Sequence, residues 1–434
     1  MTKNTIAGYL LALMLVCFVL QSLFGLDLIY FSGACAWLAA LFLQARLQGS
    51  QRIQVFVLLG AAVAVMVAAV YNGGELSLAQ AVGQNQPILA MLAAVSFLRL
   101  LDAGSEPDRE VPTGSVAFLK TLFGANFMGA AINVTALLVI SDRLARNSGF
   151  GRLQAVMMGR SFSFAVLYSP FIGGMALSLS LMPDASLAAV AAYGAPMALL
   201  SLSLSGLLLR SRHRQEISQF KGYPIRMDSM RFPGLLVITV LFVHTVYPDI
   251  SVLALISVFA PLLVLLISAV TQGVRSAGHM ALNHVQQTLS GMSGELWLFL
   301  SAGLFSAGLL SLTQSLGGWQ PFEIFDARAA SLTLGGILLV SLIGIHPIVC
   351  VSFLGPMLSV IDPPHNLVAM VFVLGWAVGC TLSPFSGTNL IIQGRYGINS
   401  WNMTRWNLLF AGLIYLLSCA VFQLWQYLQI GKIA

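Results

Sequence analysis

Charged residues are scarce in this sequence. Its 434 residues include only 21 Lys and Arg and 15 Asp and Glu, which is 8% charged residues, whereas soluble domains average about a quarter. Such a chain could not cover a water-facing surface of its size, which excludes a soluble enzyme and a soluble nucleic-acid-binding protein. A membrane-spanning helix needs roughly 20 apolar residues. The sequence therefore predicts an all-α polytopic membrane protein with about 11 transmembrane helices.

Cysteine pairs and catalytic motifs are missing as well. The five cysteines all lie inside apolar runs, without the spacing of a disulfide framework or a transition-metal site: Cys17, Cys35, Cys350, Cys380 and Cys419. No His-Glu-x-x-His or Gly-x-Ser-x-Gly pattern occurs. We therefore expect no enzyme activity and no cofactor, apart from sodium ions that could bind. Two other functions stay open for such a membrane protein: a membrane-embedded enzyme acting on a lipid-linked substrate and, ranked after it, a channel.

Basic residues in the short loops predict the orientation of the chain. Lys and Arg are enriched in the cytoplasmic loops of membrane proteins. One assignment of the loops to the two sides of the membrane, the orientation map, places 18 of the 21 in the cytoplasm. The map puts the N-terminus in the cytoplasm and the C-terminus outside, and we expect a bacterial inner membrane. The 18 residues are Lys3, Arg46, Arg52, Arg99, Arg109, Arg143, Arg146, Arg152, Arg160, Arg210, Arg212, Arg214, Lys221, Arg226, Arg231, Arg275, Arg395 and Arg405.

Two apolar segments, residues 113–141 and 330–361, do not fit the map as ordinary spans. Each holds about 30 residues, too few for two full crossings, yet each must begin and end on one side. We interpret them as re-entrant hairpins, the first entered from the cytoplasm and the second from outside. Their tips should lie near residues 129–135 and 344–347, where small, polar or proline residues interrupt the runs. A single tilted span at each place is the alternative.

A short motif recurs at half the chain length. Ser-Pro-Phe-Ile-Gly at 169–173 returns 214 residues later as Ser-Pro-Phe-Ser-Gly at 383–387. The same offset carries the first tip onto the second, and the basic loop 141–160 onto 355–374, which contains no Lys or Arg. Equivalent loops therefore face opposite sides. Two inverted-topology repeats of this kind are typical of secondary transporters.

Each copy of the motif interrupts an apolar helix, predicted over 161–182 and 366–394. Proline frees a carbonyl and glycine lets the backbone leave helical angles, so the helix should unwind there. Unwound carbonyls with Ser, Thr and Asn oxygens can bind sodium, and the half-helix N-termini can bind an anion. A plain proline kink is the alternative; Thr388 and Asn389 favour binding at the second copy. His346 at the second tip could couple protons or contact an anion, or merely pack against a freed carbonyl.

This arrangement of helices, oppositely entered hairpins and broken helices resembles the ion transporter superfamily, and most closely its divalent anion:sodium symporters. That family carries Ser-Asn-Thr at each hairpin tip; this chain has Ile-Asn-Val-Thr at 132–135 and His-Pro at 346–347. The resemblance implies a sodium site beside each tip and broken helix. It also implies a homodimer in which the hairpins move like an elevator against a scaffold.

Together these patterns predict a secondary active transporter of a small, anionic, carboxylate-like solute, coupled to sodium or protons. Its partners would be the solute and the lipid bilayer, without nucleic acid. The predicted parts are a scaffold (1–112), a transport part (113–209), a basic linker (210–231), a second scaffold (232–329) and a second transport part (330–434). Expected substrate-binding residues are Asn133, Thr135, His346, Thr388 and Asn389. Expected cation-binding residues are Asn133, Ser169, Gly173, Pro347, Ser383 and Ser386.

Overall fold

A computed structural model describes residues 2–47, 49–101, 111–224, 231–317 and 321–433, with side chains except at 50 and 429–433. Arg109 and Arg226, two residues of the predicted orientation map, lie outside these ranges. In the described ranges the chain forms α-helices and no β-strand. The helices are α1 (Lys3–Phe24), α2 (Ile29–Leu43), α3 (Gly49–Tyr71), α4 (Leu78–Gly83), α5 (Gln86–Ser96), α6 (Gly114–Ile132), α7 (Val134–Ser148), α8 (Arg152–Phe164), α9 (Gly173–Leu181), α10 (Leu187–Arg212), α11 (Arg214–Ser218), α12 (Arg231–Val246), α13 (Val252–Gln272), α14 (Val274–Asn283), α15 (Ser293–Ser315), α16 (Ala327–Leu342), α17 (Pro347–Leu358), α18 (His365–Leu382), α19 (Gly387–Tyr396) and α20 (Ser400–Ile433).

The protein is an all-α polytopic membrane protein. Among the described residues, ten helical segments are long and apolar enough to cross a membrane, against eleven expected. Two expected spans are missing from the ten because α12 has only 16 residues, about 24 Å, and because the helix predicted over 161–182 is interrupted. The ten include α6, the first arm of the first predicted hairpin.

The chain divides into two compact units. The first unit comprises residues 1–106 and 227–319, and the second comprises 107–226 and 320–434. Both predicted hairpins and both Ser-Pro-Phe motifs fall in the second unit. The scaffold and transport roles assigned from the sequence stay predictions.

The first unit is a bundle in which α3 packs along α15 and α1 along α2. Small residues let its backbones approach closely: a Cβ added at Gly8 of α1 would lie 2.0 Å from the carbonyl oxygen of Val285. Val285 belongs to a π-helical turn, His284–Thr288, that follows α14. The His284 ring is buried there, with its Nε2 2.7 Å from the Ser96 hydroxyl. The interior of this unit is thus closely packed.

The first predicted hairpin is present as α6, a one-residue tip and α7. The tip is Asn133, whose φ of 53° and ψ of −139° lie in a region that non-glycine residues rarely adopt. Its amide still bonds to the carbonyl oxygen of Gly129, so α6 ends and α7 begins without an intervening loop. The strained residue therefore stands where the sequence predicted the tip.

The second predicted hairpin consists of α16, a turn at residues 343–346, and α17. Gly344 in the turn has a φ of 103°, and a Cβ there would meet the Phe385 ring at 2.9 Å. Only glycine suits both this backbone angle and this contact. The second tip therefore packs directly against the second Ser-Pro-Phe motif.

Both motif-bearing helices are broken as predicted. The first runs as α8, a 3-10 turn (Ala165–Leu167), an irregular stretch at 168–172 and α9; the second runs as α18, residues 383–386 and α19. The first begins well before its predicted start, so Arg160, expected in a cytoplasmic loop, lies buried inside α8. That expectation was wrong because Arg152, Gln154 and Arg160 lower the apolar content of a segment that packs inside the second unit.

Contacts at the ends of the broken helices show that they are antiparallel. Arg395 in the last turn of α19 pairs with Asp142 of α7, and a short loop leads from α7 into α8. Thus α8 begins where α19 ends. At the opposite end, the Asp184 amide, just after α9, donates to Nδ1 of His365, the first residue of α18, at 3.1 Å. We call these the Asp142 end and the Asp184 end of the second unit.

The hairpins enter the second unit from opposite ends. The first returns to the Asp142 end through α7. Helix α20 starts at that end, where the Arg152 guanidinium lies 4.9 Å from the centroid of the Trp406 ring. Helix α20 then runs along the unit to Gln426, whose side chain accepts from the backbone amide of Ala327, the first residue of α16, at 2.9 Å. The second hairpin therefore begins at the Asp184 end. The two hairpins therefore start from opposite ends of the second unit, as the sequence predicted. That they re-enter the membrane without crossing it, that the whole chain is an inverted repeat, and which end faces the cytoplasm stay predictions.

Candidate functional site

The first hairpin tip contacts the first helix break. The Asn133 side-chain amide donates to the carbonyl oxygen of Phe171 at 3.4 Å. The Ser169 hydroxyl donates to the carbonyl oxygen of Ala130 and accepts from the Phe171 amide. Two predicted site residues, Asn133 and Ser169, are therefore brought together, and Gly173 begins α9 immediately beyond them.

A buried polar chain that the sequence analysis missed supports this first pair. The Tyr168 hydroxyl donates to Oδ1 of Asn126 at 2.7 Å, and the Asn126 amide donates to the carbonyl oxygen of Ser161 at 2.8 Å. An asparagine in the middle of an apolar hairpin arm was the available signal, since a buried polar side chain needs a partner. This chain fixes the hairpin arm to the helix on both sides of its 3-10 turn.

Side chains bind most of the carbonyl oxygens released at the second break. The Ser386 hydroxyl donates to the carbonyl oxygen of Cys380 at 2.7 Å. The same hydroxyl accepts from the backbone amide of Asn389 and thereby caps α19. Thr404 donates to the carbonyl oxygen of Leu382 at 2.6 Å. Asn407 donates to that of Thr381 at 3.1 Å. Thr404 and Asn407, from α20, were not predicted from the sequence.

Asn389 has a well-defined orientation at this break. Its side-chain nitrogen faces three carbonyl oxygens, at 2.9 to 3.4 Å: Ser383, Cys380 and Thr381. Exchanging the amide oxygen and nitrogen would set an acceptor against three acceptors, so this orientation is required. Oδ1 then points away and is buried without a hydrogen-bond partner among the described residues, as is the hydroxyl of Ser383.

These two unpartnered oxygens suit a cation. Buried polar atoms are almost always satisfied, so two orphaned acceptors beside an unwound helix need an explanation. Oxygen ligands from side chains and unwound carbonyls are what sodium sites in broken-helix transporters use. Among the described residues no three His, Cys, Asp or Glu side chains come together as a metal site. Of the predicted cation-binding residues, Ser383 thus has the required free oxygen, while the Ser169 and Ser386 hydroxyls are already hydrogen-bonded.

The second tip is built around His346. The ring is only 6% exposed, and its Nδ1 accepts from the Ile348 amide at 3.1 Å, which caps α17. It also lies edge-on to Trp376, with ring centroids 5.3 Å apart. Trp376 in turn packs against Gly174, where a Cβ would lie 2.5 Å from the indole. Because Nδ1 accepts this hydrogen bond, it carries no proton, and the ring proton lies on Nε2.

The predicted residues thus form two groups in one unit. Pro347 packs against Gly379 of α18, where a Cβ would lie 2.6 Å from the proline ring. Thr388 is buried in the first turn of α19, and Thr135 is half-buried in that of α7. The first group joins a tip to a break in the first repeat, and the second does so in the second repeat. Trp376, between His346 and Gly174, connects them.

Four half-helices begin at these tips and breaks, and their ends are not equivalent. First-turn amides carry a positive partial charge. Side chains cap the two half-helices of the second repeat, whereas no side chain caps the two of the first repeat. The capped helices are α17 (by His346) and α19 (by Ser386), and the uncapped helices are α7 and α9. The first-turn amides of the first pair therefore have no side-chain acceptor, whereas the second pair contains the unpartnered oxygens of Ser383 and Asn389.

An ion pair at the Asp142 end joins the first hairpin to the second broken helix. Arg395 donates to both carboxylate oxygens of Asp142, at 2.7 and 2.6 Å, and the Tyr396 hydroxyl donates to the same carboxylate at 2.7 Å. These bonds from Arg395, and then that from Tyr396, hold the pKa of Asp142 below its ordinary value. The pair is partly solvated, with side-chain exposures of 51% for Arg395 and 33% for Asp142.

We expect Asp142→Asn to lower thermal stability slightly at neutral pH. Because the folded-state pKa is depressed, the ionised carboxylate stabilises the fold above its unfolded pKa of about 3.9 and loses that effect as pH falls below it. Solvent screening limits the effect to less than about 1 kcal/mol. Unfolding temperatures of wild type and variant should therefore converge as pH is lowered below about 4. In an Arg395→Gln background the substitution should cost less than in wild type, because only the Tyr396 hydroxyl still donates to this side chain; an equal cost there would contradict an interaction between Asp142 and Arg395.

Comparison with known proteins adds no relative to this description. The chain matches no protein family and no curated protein sequence. The resemblance to the divalent anion:sodium symporters stays a prediction, and function is argued from the geometry of the two tip–break pairs.

Proposed function

We propose that this protein is a secondary active transporter that moves a small, anionic organic solute together with sodium or protons. The observation that carries the proposal is the pairing of each hairpin tip with a helix break of its own repeat, in antiparallel copies within one unit. Broken helices beside a substrate site, in inverted repeats, are the elements with which such transporters bind ion and solute.

The first pair supports an anionic solute. Helices α7 and α9 begin there without a side-chain cap, and helix N-termini favour negative groups because several amides point at the ligand. Asn133 and Thr135 stand at the start of α7 and can add hydrogen bonds to a carboxylate. We assign the solute carboxylate to this pair.

The second pair supports a coupling cation. The Asn389 Oδ1 and the Ser383 hydroxyl are buried oxygens without partners among the described residues. A cation there would satisfy both and would offset the cost of burying them. We assign the coupling ion to this pair, with sodium and proton distinguished by experiment.

In this proposal the second unit, which contains both pairs, is the moving body of an elevator mechanism, and the first unit is the scaffold. We further propose that the protein is a homodimer in a bacterial inner membrane, with the Asp142 end in the cytoplasm. The elevator motion and the homodimer agree with the resemblance to divalent anion:sodium symporters that the sequence predicts.

Uptake into proteoliposomes tests the function directly. Purified protein is reconstituted, and a panel of labelled mono-, di- and tricarboxylates is offered with an inward sodium gradient, an inward proton gradient or neither. We expect one carboxylate class to accumulate only under one of the gradients, since the coupled ion supplies the driving force. Protein-free liposomes are the control. Equal uptake with and without both gradients would contradict coupled transport.

A further inference from the structure

A cleft lined by arginine side chains lies apart from the two tip–break pairs. Arg160 in α8 is 3% exposed, yet among the described residues its guanidinium bonds only to neutral groups. It donates to Oδ1 of Asn407 at 2.8 Å, to the Ser205 hydroxyl at 3.2 Å and to the carbonyl oxygen of Trp406 at 3.3 Å. It also lies 4.0 Å from the centroid of the Phe410 ring. A buried cation normally has an anionic partner.

Further basic side chains line the same cleft. Arg152 lies over the Trp406 ring, and Arg212, in the last turn of α10, completes a group of three arginines with Arg160. In the part of the chain that the structure describes, no carboxylate pairs with any of the three. The nearby Glu216 is bonded instead to His213, at 2.8 Å. Among the described residues, the three positive charges of the cleft therefore have no directly paired carboxylate.

The walls of the cleft are apolar and open outward. It is narrow and partly open to solvent. Besides the three arginines and His213, its lining residues are Val156, Leu208, Leu209, Trp406, Leu409 and Phe410. Leu409 is 49% exposed and the neighbouring Leu207 is 68% exposed. Both lie on helices long and apolar enough to cross a membrane, so such side chains face acyl chains. Trp406 is of the type that lies at head-group level.

We propose that this cleft between α8, α10 and α20 binds the phosphate head group of an anionic phospholipid. The three arginines supply charge-assisted donors to the phosphodiester, and the leucines contact the first part of the acyl chains. Basic pockets between spanning helices are suited to such head groups. A soluble phosphate would use the arginines but not the exposed leucines, which is why the lipid is favoured.

Native mass spectrometry of the delipidated protein, titrated with phosphatidylglycerol, tests the proposal. Arg152→Gln with Arg212→Gln should weaken the first binding event about 25-fold, because each basic residue near the membrane surface contributes about fivefold. The matched control is Arg210→Gln with Arg214→Gln, which removes the same charge from the same end but does not touch the cleft. The control should change affinity by less than about twofold.

Four outcomes decide the proposal. Selective weakening by the cleft variant, with unchanged unfolding temperature, supports it; Arg160 is left intact because its removal endangers folding. Equal weakening by both variants would show a general charge effect and overturn it. Phosphatidylcholine binding as tightly as phosphatidylglycerol would also overturn it. Displacement of phosphatidylglycerol by millimolar glycerol 3-phosphate would overturn the lipid as the source and identify a soluble phosphate ligand.

Discussion

If the protein is the proposed cation-coupled transporter, we expect Asn389→Ala to weaken cation activation of uptake at least about tenfold. The substitution removes the unpartnered Oδ1 and also leaves the carbonyl oxygens of Ser383, Cys380 and Thr381 without this donor. Losing a metal-site group typically weakens ion affinity at least about tenfold. Leaving buried acceptors unsatisfied costs about 1–3 kcal/mol of stability. The measurements are the ion concentration giving half-maximal uptake in proteoliposomes and the unfolding temperature.

Thr404→Val is the matched control for this variant. It removes the donor to the carbonyl oxygen of Leu382 at the same break and leaves the oxygens of Asn389 and Ser383 in place. We expect a comparable loss of stability with unchanged ion dependence. Equal shifts of ion dependence in both variants would show that general loosening of the break, and not ligand loss, is responsible.

Ser383→Ala separates binding from packing if Asn389→Ala folds poorly. The Ser383 hydroxyl makes no hydrogen bond within the described structure, so its removal should not lower stability. A purely structural serine would therefore be silent in every assay. We expect this variant to keep its unfolding temperature and to require more cation for half-maximal uptake; unchanged ion dependence would remove this hydroxyl from the proposed site.

Gly194→Ala will prevent the second unit from folding normally. A Cβ at this position of α10 would lie 1.7 Å from the carbonyl oxygen of Leu167, which ends the 3-10 turn before the first break. A backbone atom cannot rotate away, so α10 must move outward and the packing around it is lost. Overpacking typically costs 1–3 kcal/mol, and a contact with backbone lies at or beyond the upper limit. Size-exclusion chromatography and thermal unfolding measure the loss.

Gly206→Ala, about three turns further along the same helix, is the control. There the nearest atoms are the side-chain ends of Leu119 and Leu122, each at 3.4 Å, which is ordinary contact. Alanine also favours a helix over glycine by about 1 kcal/mol. This variant should be folded and at least as stable as wild type. A normally folded Gly194→Ala protein would contradict the close approach of α10 to the break.

The sequence predicted the fold where a strong local signal or a repeat was present. Apolar runs identified the spans, and the offset between Ser169 and Ser383, combined with the distribution of basic residues, predicted opposed hairpins and broken helices. Arg160 was wrongly placed in a loop because residue type alone does not distinguish a buried arginine from an exposed one. Its burial depends on Asn407 and Phe410, which no periodicity connects to it.

The details of the site were harder to predict for the same reason. The bonds from Asn407 to Thr381 and from Tyr168 to Asn126 join residues that are distant in sequence, so no spacing rule indicates them. His346 was correctly expected at the tip, but its cap of α17 follows from the turn geometry and not from residue type. Which oxygens remain without partners could be known only after all the others had been assigned.

The antiparallel arrangement of two unlike copies has a consequence for directionality. The first copy turns at the single residue Asn133 and the second at residues 343–346, so the two copies do not exchange conformations symmetrically. In the proposed transport cycle, a resting bias between the two states would then originate in these differences and in the side chains that differ between the copies. His346 and Ser386, which occupy ends that are uncapped in the first repeat, are where that bias would be found.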